Sequence, residues 1–252
     1  MNASFEELIA EAEAAPIEGW DFSWLDGRAA EERPSWRYSE LVSRRVETVS
    51  TMLDLESGGG EMLSGLRRFP ALMVAAEGYP PNVAVAARRL QPRGAHVIAA
   101  QFDRPALPIA SDAFDLVTSR HPVVTWWEEI ARVLRPGGVY LSQQVGPDSV
   151  RALSEYLMGP LPPGNARDPE LARARAVAAG LTVVDLRAER LRTVFNDIGA
   201  VAYFLRLVIW IVPGFTVERY RDRLRALHDE IQHHGPFVAH ASRFLIEAHK
   251  PR

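Results

Sequence analysis

The sequence predicts an α/β protein whose parallel sheet carries helices on both faces. Three observations predict it. Short apolar runs alternate with helical patterns across the middle of the chain, a glycine-rich turn follows directly on the first of these runs, and acidic residues close the next two. Strands alternating with helices imply right-handed crossovers, and such crossovers build a parallel sheet covered on both sides.

The elements follow in order. Residues 4–15 and 36–49 carry helical periodicity, and an aromatic loop, Gly19-Trp20-Asp21-Phe22-Ser23-Trp24, separates them. Strands are expected at 51–55, 71–76, 95–100, 114–118 and 138–144, with helices at 61–69, 81–90 and 124–134 between them. Beyond them, 168–179 reads as a helix that Gly180 stops, and 181–191 and 237–248 read as extended. Two helical patterns, 195–211 and 216–233, lie between those strands and are broken by Pro213-Gly214. No linker or repeat interrupts the chain, so one domain is expected over 1–252. Its parts would be a helical cap at 1–49, a ligand-binding core at 50–146 and a helical insertion or lid at 195–234.

Composition removes several functions. The 252 residues are 47% hydrophobic, enough to bury a large core, and contain no cysteine, which excludes disulfides, thiolate zinc sites and cysteine nucleophiles. The acidic N-terminus does not resemble a secretory signal. The longest apolar stretch, 200–212, is too short to span a membrane and carries Arg206. A cytoplasmic protein without membrane attachment is expected. A net charge of −3 gives no bulk attraction to nucleic acid, and the arginines at 187–192 and 219–225 are interleaved with acids as on an exposed surface. His228, His233 and His234 lack a framing carboxylate motif, so no metal site is expected.

The chemistry centres on Leu53-Asp54-Leu55-Glu56-Ser57-Gly58-Gly59-Gly60-Glu61, an apolar strand running through glycines into a helix. Glycines admit close backbone approach, and a helix start offers unpaired N–H groups to a carboxylate or a phosphate. Glu77 ends the second strand, where an acid can accept from both hydroxyls of a ribose. Asp103 follows the third strand, where an acid can meet an adenine amino group. Acids at the carboxyl ends of successive parallel strands share one crevice.

These residues, with Ala76-Glu77-Gly78, Phe102-Asp103, Leu107-Pro108, Phe114-Asp115-Leu116-Val117 and Ile130-Ala131-Arg132-Val133-Leu134-Arg135-Pro136-Gly137-Gly138, resemble the successive motifs of the class I S-adenosylmethionine (SAM)-dependent methyltransferases, type 11-like. The resemblance covers about residues 51–145. It implies a Rossmann-like, seven-stranded, mostly parallel sheet, with the last strand, 237–248, inserted antiparallel beside the fifth. It also implies SAM as cofactor and S-adenosylhomocysteine as product. Asp54, Ser57, Gly58, Gly59 and Gly60 would hold its methionine end, Glu77 and Gly78 its ribose, and Phe102 and Asp103 its adenine, with Ser119 close by. Asp115 and the Gly137-Gly138 turn are expected to be structural.

Glu56 departs from the pattern, standing where the family has the first glycine of its turn. Its side chain would either crowd the cofactor or pair with the SAM ammonium. Ser119-Arg120-His121-Pro122 follows the fourth strand at the same edge. His121 suits proton removal from an acceptor, or is an ordinary turn or cofactor-shell residue. Arg120 would hold an acidic acceptor or pair with a structural carboxylate. Aromatics at 20–38 and Phe195, Tyr203, Trp210 and Phe215 are candidates for pocket walls or for core.

The expected activity is methyl transfer to an oxygen or nitrogen of a small or medium-sized organic acceptor. A nucleic-acid methyltransferase and a non-catalytic SAM-binding protein are the alternatives. Oligomeric state is not legible.

Overall fold

The computed structural model describes residues 3–17, 21–100, 106–162, 164 and 166–252. The first part of the chain forms α1 (Phe5–Ala14), a 3-10 turn (Ser23–Leu25), β1 (Ala29–Glu31) and α2 (Tyr38–Val46). The alternating series follows as β2 (Thr51–Leu55), α3 (Glu61–Ser64), β3 (Leu72–Glu77), α4 (Pro80–Leu90), β4 (His96–Ala99), β5 (Phe114–Arg120), α5 (Trp127–Val133) and β6 (Leu134–Val145). The remainder forms α6 (Arg151–Met158), α7 (Pro169–Ala178), β7 (Thr182–Phe195), α8 (Ile198–Leu207), α9 (Val217–His234) and β8 (Phe237–His249). No helix among the described residues is long and apolar enough to cross a membrane.

The chain packs as two compact units, Met1–Arg33 with Asp148–Gly164 and Arg190–Ser242, and Pro34–Pro147 with Asn165–Glu189 and Arg243–Arg252. In the second unit the strand order is β7-β8-β6-β5-β2-β3-β4. β2 pairs parallel with β3 and β5, β3 with β4, and β5 with β6. β8 runs antiparallel to β6, from Val139 opposite His249 to Val145 opposite Arg243. This is the mostly parallel, Rossmann-like sheet expected, with its last strand reversed beside the fifth of the series.

Alternation along the strands fills both faces. Met52, Met73, Leu116, Leu141 and Leu245 pack with Trp36, Tyr38 and Val42 on one face. Leu53, Val74, Val117, Tyr140 and Ile246 pack with Trp127 and Ile130 on the other. Each such buried side chain contributes roughly 1.5–3 kcal/mol. At the amino edge Asp115 accepts from the Ser50 and Thr51 N–H groups and from Arg135 at 2.7 Å. Those bonds outweigh burial and hold its carboxyl below the usual range, which fixes Asp115 in a structural role.

The first unit is mainly helical. Ser4 and Glu7 form a capping box on α1, and the Asp197 side chain caps α8 by accepting from Ala200 N at 2.9 Å. Arg28 ties Asp197 to Glu11. Phe5, Leu8, Ile9, Leu153, Phe195, Val201, Leu205 and Leu224 share one core.

The structure corrects the sequence reading in several places. An eighth strand, β1, pairs antiparallel with the last residues of β7, Ala29 opposite Phe195. Phe195 therefore belongs to a strand, and the helix expected from 195 begins at Ile198, after its Asp197 cap. The helix expected at 61–69 is one turn, Glu61–Ser64, with Gly65 at its C-cap. Phe195 and Tyr203 are core, 1% and 2% exposed, so neither is a free pocket wall. Tyr203 stacks on Trp24 and donates to the Pro16 and Asp21 carbonyls.

Candidate functional site

The site is built at the carboxyl ends of β2, β3, β5 and β6 in the second unit. β2 leads into the glycine turn, which begins with Glu56 in the left-handed region at φ 54°. Gly58 and Gly60 share that hand, at φ 59° and 78°. Gly60 is also needed sterically, since a Cβ there would lie 2.7 Å from Leu90 Cδ1.

Three carboxylates ring this turn. Asp54 is 3% exposed and accepts from the Thr118 hydroxyl on β5. Burial pushes its pKa up to about 7, against the Thr118 and Ser57 hydroxyls, which oppose the shift. Glu77, at the end of β3, accepts from Gly58 N at 2.6 Å and from Tyr79 N at 2.8 Å. Burial raises it too, opposed by these bonds and by Gly78 N–H. Glu56 accepts from Val123 N at 2.6 Å and Val124 N at 3.2 Å, clasping the loop after β5, and burial raises it as well. None of the three forms an ion pair among the described residues.

The β5–β6 side differs in character. On one face Ser119 Oγ lies 2.8 Å from Tyr140 Oη and 2.9 Å from Ser142 Oγ, a buried hydroxyl cluster. On the other, Tyr38 Oη donates to the carbonyls of Ser119 and Leu141. Trp36 Nε1 donates to Gln143 Oε1 at 2.8 Å. An indole nitrogen only donates, so this bond orients the amide and leaves Gln143 Nε2 as a donor. It lies 2.9 Å from His121 Nε2, which must therefore accept, and the ring proton sits on Nδ1. Burial, then the charges of Arg243, Arg120 and Arg167, push His121 well below its ordinary pKa. The ring is neutral at pH 7.

Asp54, Glu56, Ser57, Gly58, Gly59, Gly60, Glu77, Gly78, Ser119, Arg120 and His121 thus lie on adjoining strand ends and turns. Phe102 and Asp103 lie outside the described residues, as does Trp20. Arg120 forms no ion pair among the described residues, and its charge acts on Asp54. Sequence reasoning missed Thr118, Gln143, Arg167 and Arg243. The polar run Ser142-Gln143-Gln144, set in an otherwise apolar strand and buried in the fold, was the available signal for Gln143. Arg167 offers no such signal.

Residues 53–142 match the family model described as a methyltransferase domain. The demethylmenaquinone methyltransferase of Thermus thermophilus is 33% identical over 111 residues, which are 41% of this chain and 50% of the relative. The match thus spans about half the length of that curated relative. Among solved structures, a methyltransferase candidate from Bacillus halodurans C-125 superposes with TM-score 0.59 at 16% identity, over 84% of this chain and 98% of the other. Phosphoethanolamine N-methyltransferase 2 of Haemonchus contortus, in complex with phosphomonomethylethanolamine and S-adenosylhomocysteine, superposes with TM-score 0.52 at 17% identity, over 86% and 53%. Residues 53–142 thus match a methyltransferase domain, and the sheet that carries them has the fold of these methyltransferase structures.

Proposed function

We propose that the protein transfers a methyl group from SAM to an oxygen or nitrogen nucleophile of a small or medium-sized organic acceptor. The observation that carries this reading is the set of carboxylates at this edge, Asp54 and Glu77 buried and Glu56 half-buried, none of which forms an ion pair among the described residues. Burying carboxylates without cations is unfavourable, and their raised pKa values record that cost. A ligand that is itself cationic and carries hydroxyls removes it. SAM has an ammonium, a sulfonium and a ribose diol, so the donor set fits.

Asp54 and the turn around Gly58 would hold the methionine end, and Glu77 the ribose, because each Glu77 oxygen keeps a lone pair beyond its backbone bond. When bound, SAM supplies a methyl group made electrophilic by its sulfonium. The chain's own residues then position and desolvate. Glu56 fixes the 123–124 backbone beside the turn. The Trp36–Gln143 pair locks the imidazole of His121 in one tautomer. In that tautomer His121 presents an N–H, which suits orienting an acceptor oxygen, and removing a proton would require the opposite tautomer.

Calorimetric titration tests the reading. Wild-type protein should bind both SAM and S-adenosylhomocysteine with micromolar Kd. The absence of heat and of any thermal upshift at millimolar ligand would sink it.

A further inference from the structure

Beside the carboxylates, the same strand ends carry positive charge that the proposed cofactor site does not use. Arg120 closes β5 and stands in register with Gln143 of β6, which stands opposite Leu245 of β8. Two residues on, Val145 stands opposite Arg243. Register partners project to one face of a sheet, as do alternate residues along a strand. Arg120, Gln143 and Arg243 therefore share a face at the carboxyl edge. Arg167, in the turn before α7, joins them, since its charge acts on both Glu56 and His121. The charges of all three thus act on one neutral imidazole.

Two of the three lack a direct partner. Neither Arg120 nor Arg167 makes a side-chain hydrogen bond or ion pair among the described residues. Glu56 is the carboxylate that acts on Arg167, but the two form no ion pair. Burial pushes the Arg167 guanidinium below its ordinary value, as expected for a cation whose counter-charge is incomplete. Gathering like charges at a partly desolvated edge is unfavourable unless an anion completes them.

We propose that Arg120, Arg167 and Arg243 bind an anionic group, a carboxylate or a phosphate, carried by the methyl acceptor. The inference rests on the methyltransferase reading and narrows its substrate class. Guanidinium forks match the planar carboxylate and the phosphate oxygens in pairs, and the three lie beside His121, whose N–H would orient the nucleophile. The acid-lined half of the edge would then take the cationic cofactor and the arginine half the anionic acceptor.

The test titrates inorganic phosphate and, separately, S-adenosylhomocysteine into the wild type, the Arg120→Gln/Arg167→Gln double variant and Arg167→Lys. The wild type should bind phosphate with millimolar Kd or better. The double variant should lose at least about tenfold in phosphate affinity, as expected for removal of two charge-assisted contacts. Arg167→Lys should stay within about threefold, because it keeps the charge. S-adenosylhomocysteine affinity should be unchanged in all three. No binding of phosphate by the wild type overturns the proposal. So does a parallel loss of S-adenosylhomocysteine affinity with competition by phosphate, which would assign the arginines to the cofactor's own carboxylate. Phosphate binding by a wild type that takes up no S-adenosylhomocysteine would instead remove the methyltransferase reading, so the two failures are separable.

Discussion

The two halves of one strand edge carry opposite charge for different reasons. Around β2 and β3, acids are buried and held by backbone N–H groups and a hydroxyl. Around β5, β6 and β8, the cations stand on longer side chains around a neutral histidine. The acids are rigid and costly, whereas Arg120 is exposed and adaptable. Rigid, unneutralised charge suits one invariant ligand, and a flexible cluster suits a ligand that changes with the reaction. On the proposed reading, sign of charge is what separates the cofactor half of this edge from the acceptor half.

The largest expected effect lies at Asp54. Its pKa of about 7 in the fold stands against an ordinary 3.8. Between those values the native state holds a proton that the unfolded chain releases, so stability falls as pH rises across the window. Asp54→Asn should therefore raise the stability of the ligand-free protein at pH 8 by on the order of a few kcal/mol. It should also weaken S-adenosylhomocysteine binding at least about tenfold, the effect of losing a charged hydrogen-bond partner. Thermal unfolding at pH 5 and pH 8 with and without ligand reads both, and a variant less stable than wild type at pH 8 would refute the buried-charge account.

Next in size is Glu77. Glu77→Ala should cost about 1.5–3 kcal/mol of S-adenosylhomocysteine affinity. Unchanged calorimetric affinity would move the ribose elsewhere.

On the basic half, Gln143→Leu leaves the Trp36 N–H and the His121 lone pair without partners, a loss of about 1–3 kcal/mol in unfolding free energy. Because His121 is neutral well above its lowered pKa, turnover should be flat from pH 6 to 8 if the ring only donates a hydrogen bond. A rising limb with a midpoint near 6.5 would mean that the ring titrates in its ordinary range, against the buried and neutral state assigned to it.

The smallest effect is at Glu56. Changing it to glycine relieves the left-handed strain of roughly 1 kcal/mol. The freed N–H groups of Val123 and Val124 can turn to water, since those residues are 65% and 51% exposed. The variant should unfold slightly later and bind S-adenosylhomocysteine more weakly. Tighter binding would mean that the side chain only crowds the turn.

Much of the second unit was legible in the sequence, because parallel strands buried on both faces write themselves as apolar runs ending in turns. Asp54, the glycines and Glu77 were legible for the same reason, since each closes a run. The arginine cluster was not. Arg120 and Arg243 come to one face only through the register of β5, β6 and β8, and no local pattern encodes a register between strands so distant in sequence. The first unit was read less well. The helical pattern in the sequence starts at Phe195, yet the pairing of β1 with β7 and the Asp197 cap decide the boundary.

Glutamate and glycine codons differ at a single base, which gives the left-handed residue 56 an evolutionary consequence. A mutagenised population screened only for folding should drift to glycine at this position, because the backbone already prefers it. The same population screened for methyl transfer should keep glutamate against that drift. The sequences that survive each screen would show whether this carboxylate is retained for the chemistry or only tolerated by the fold.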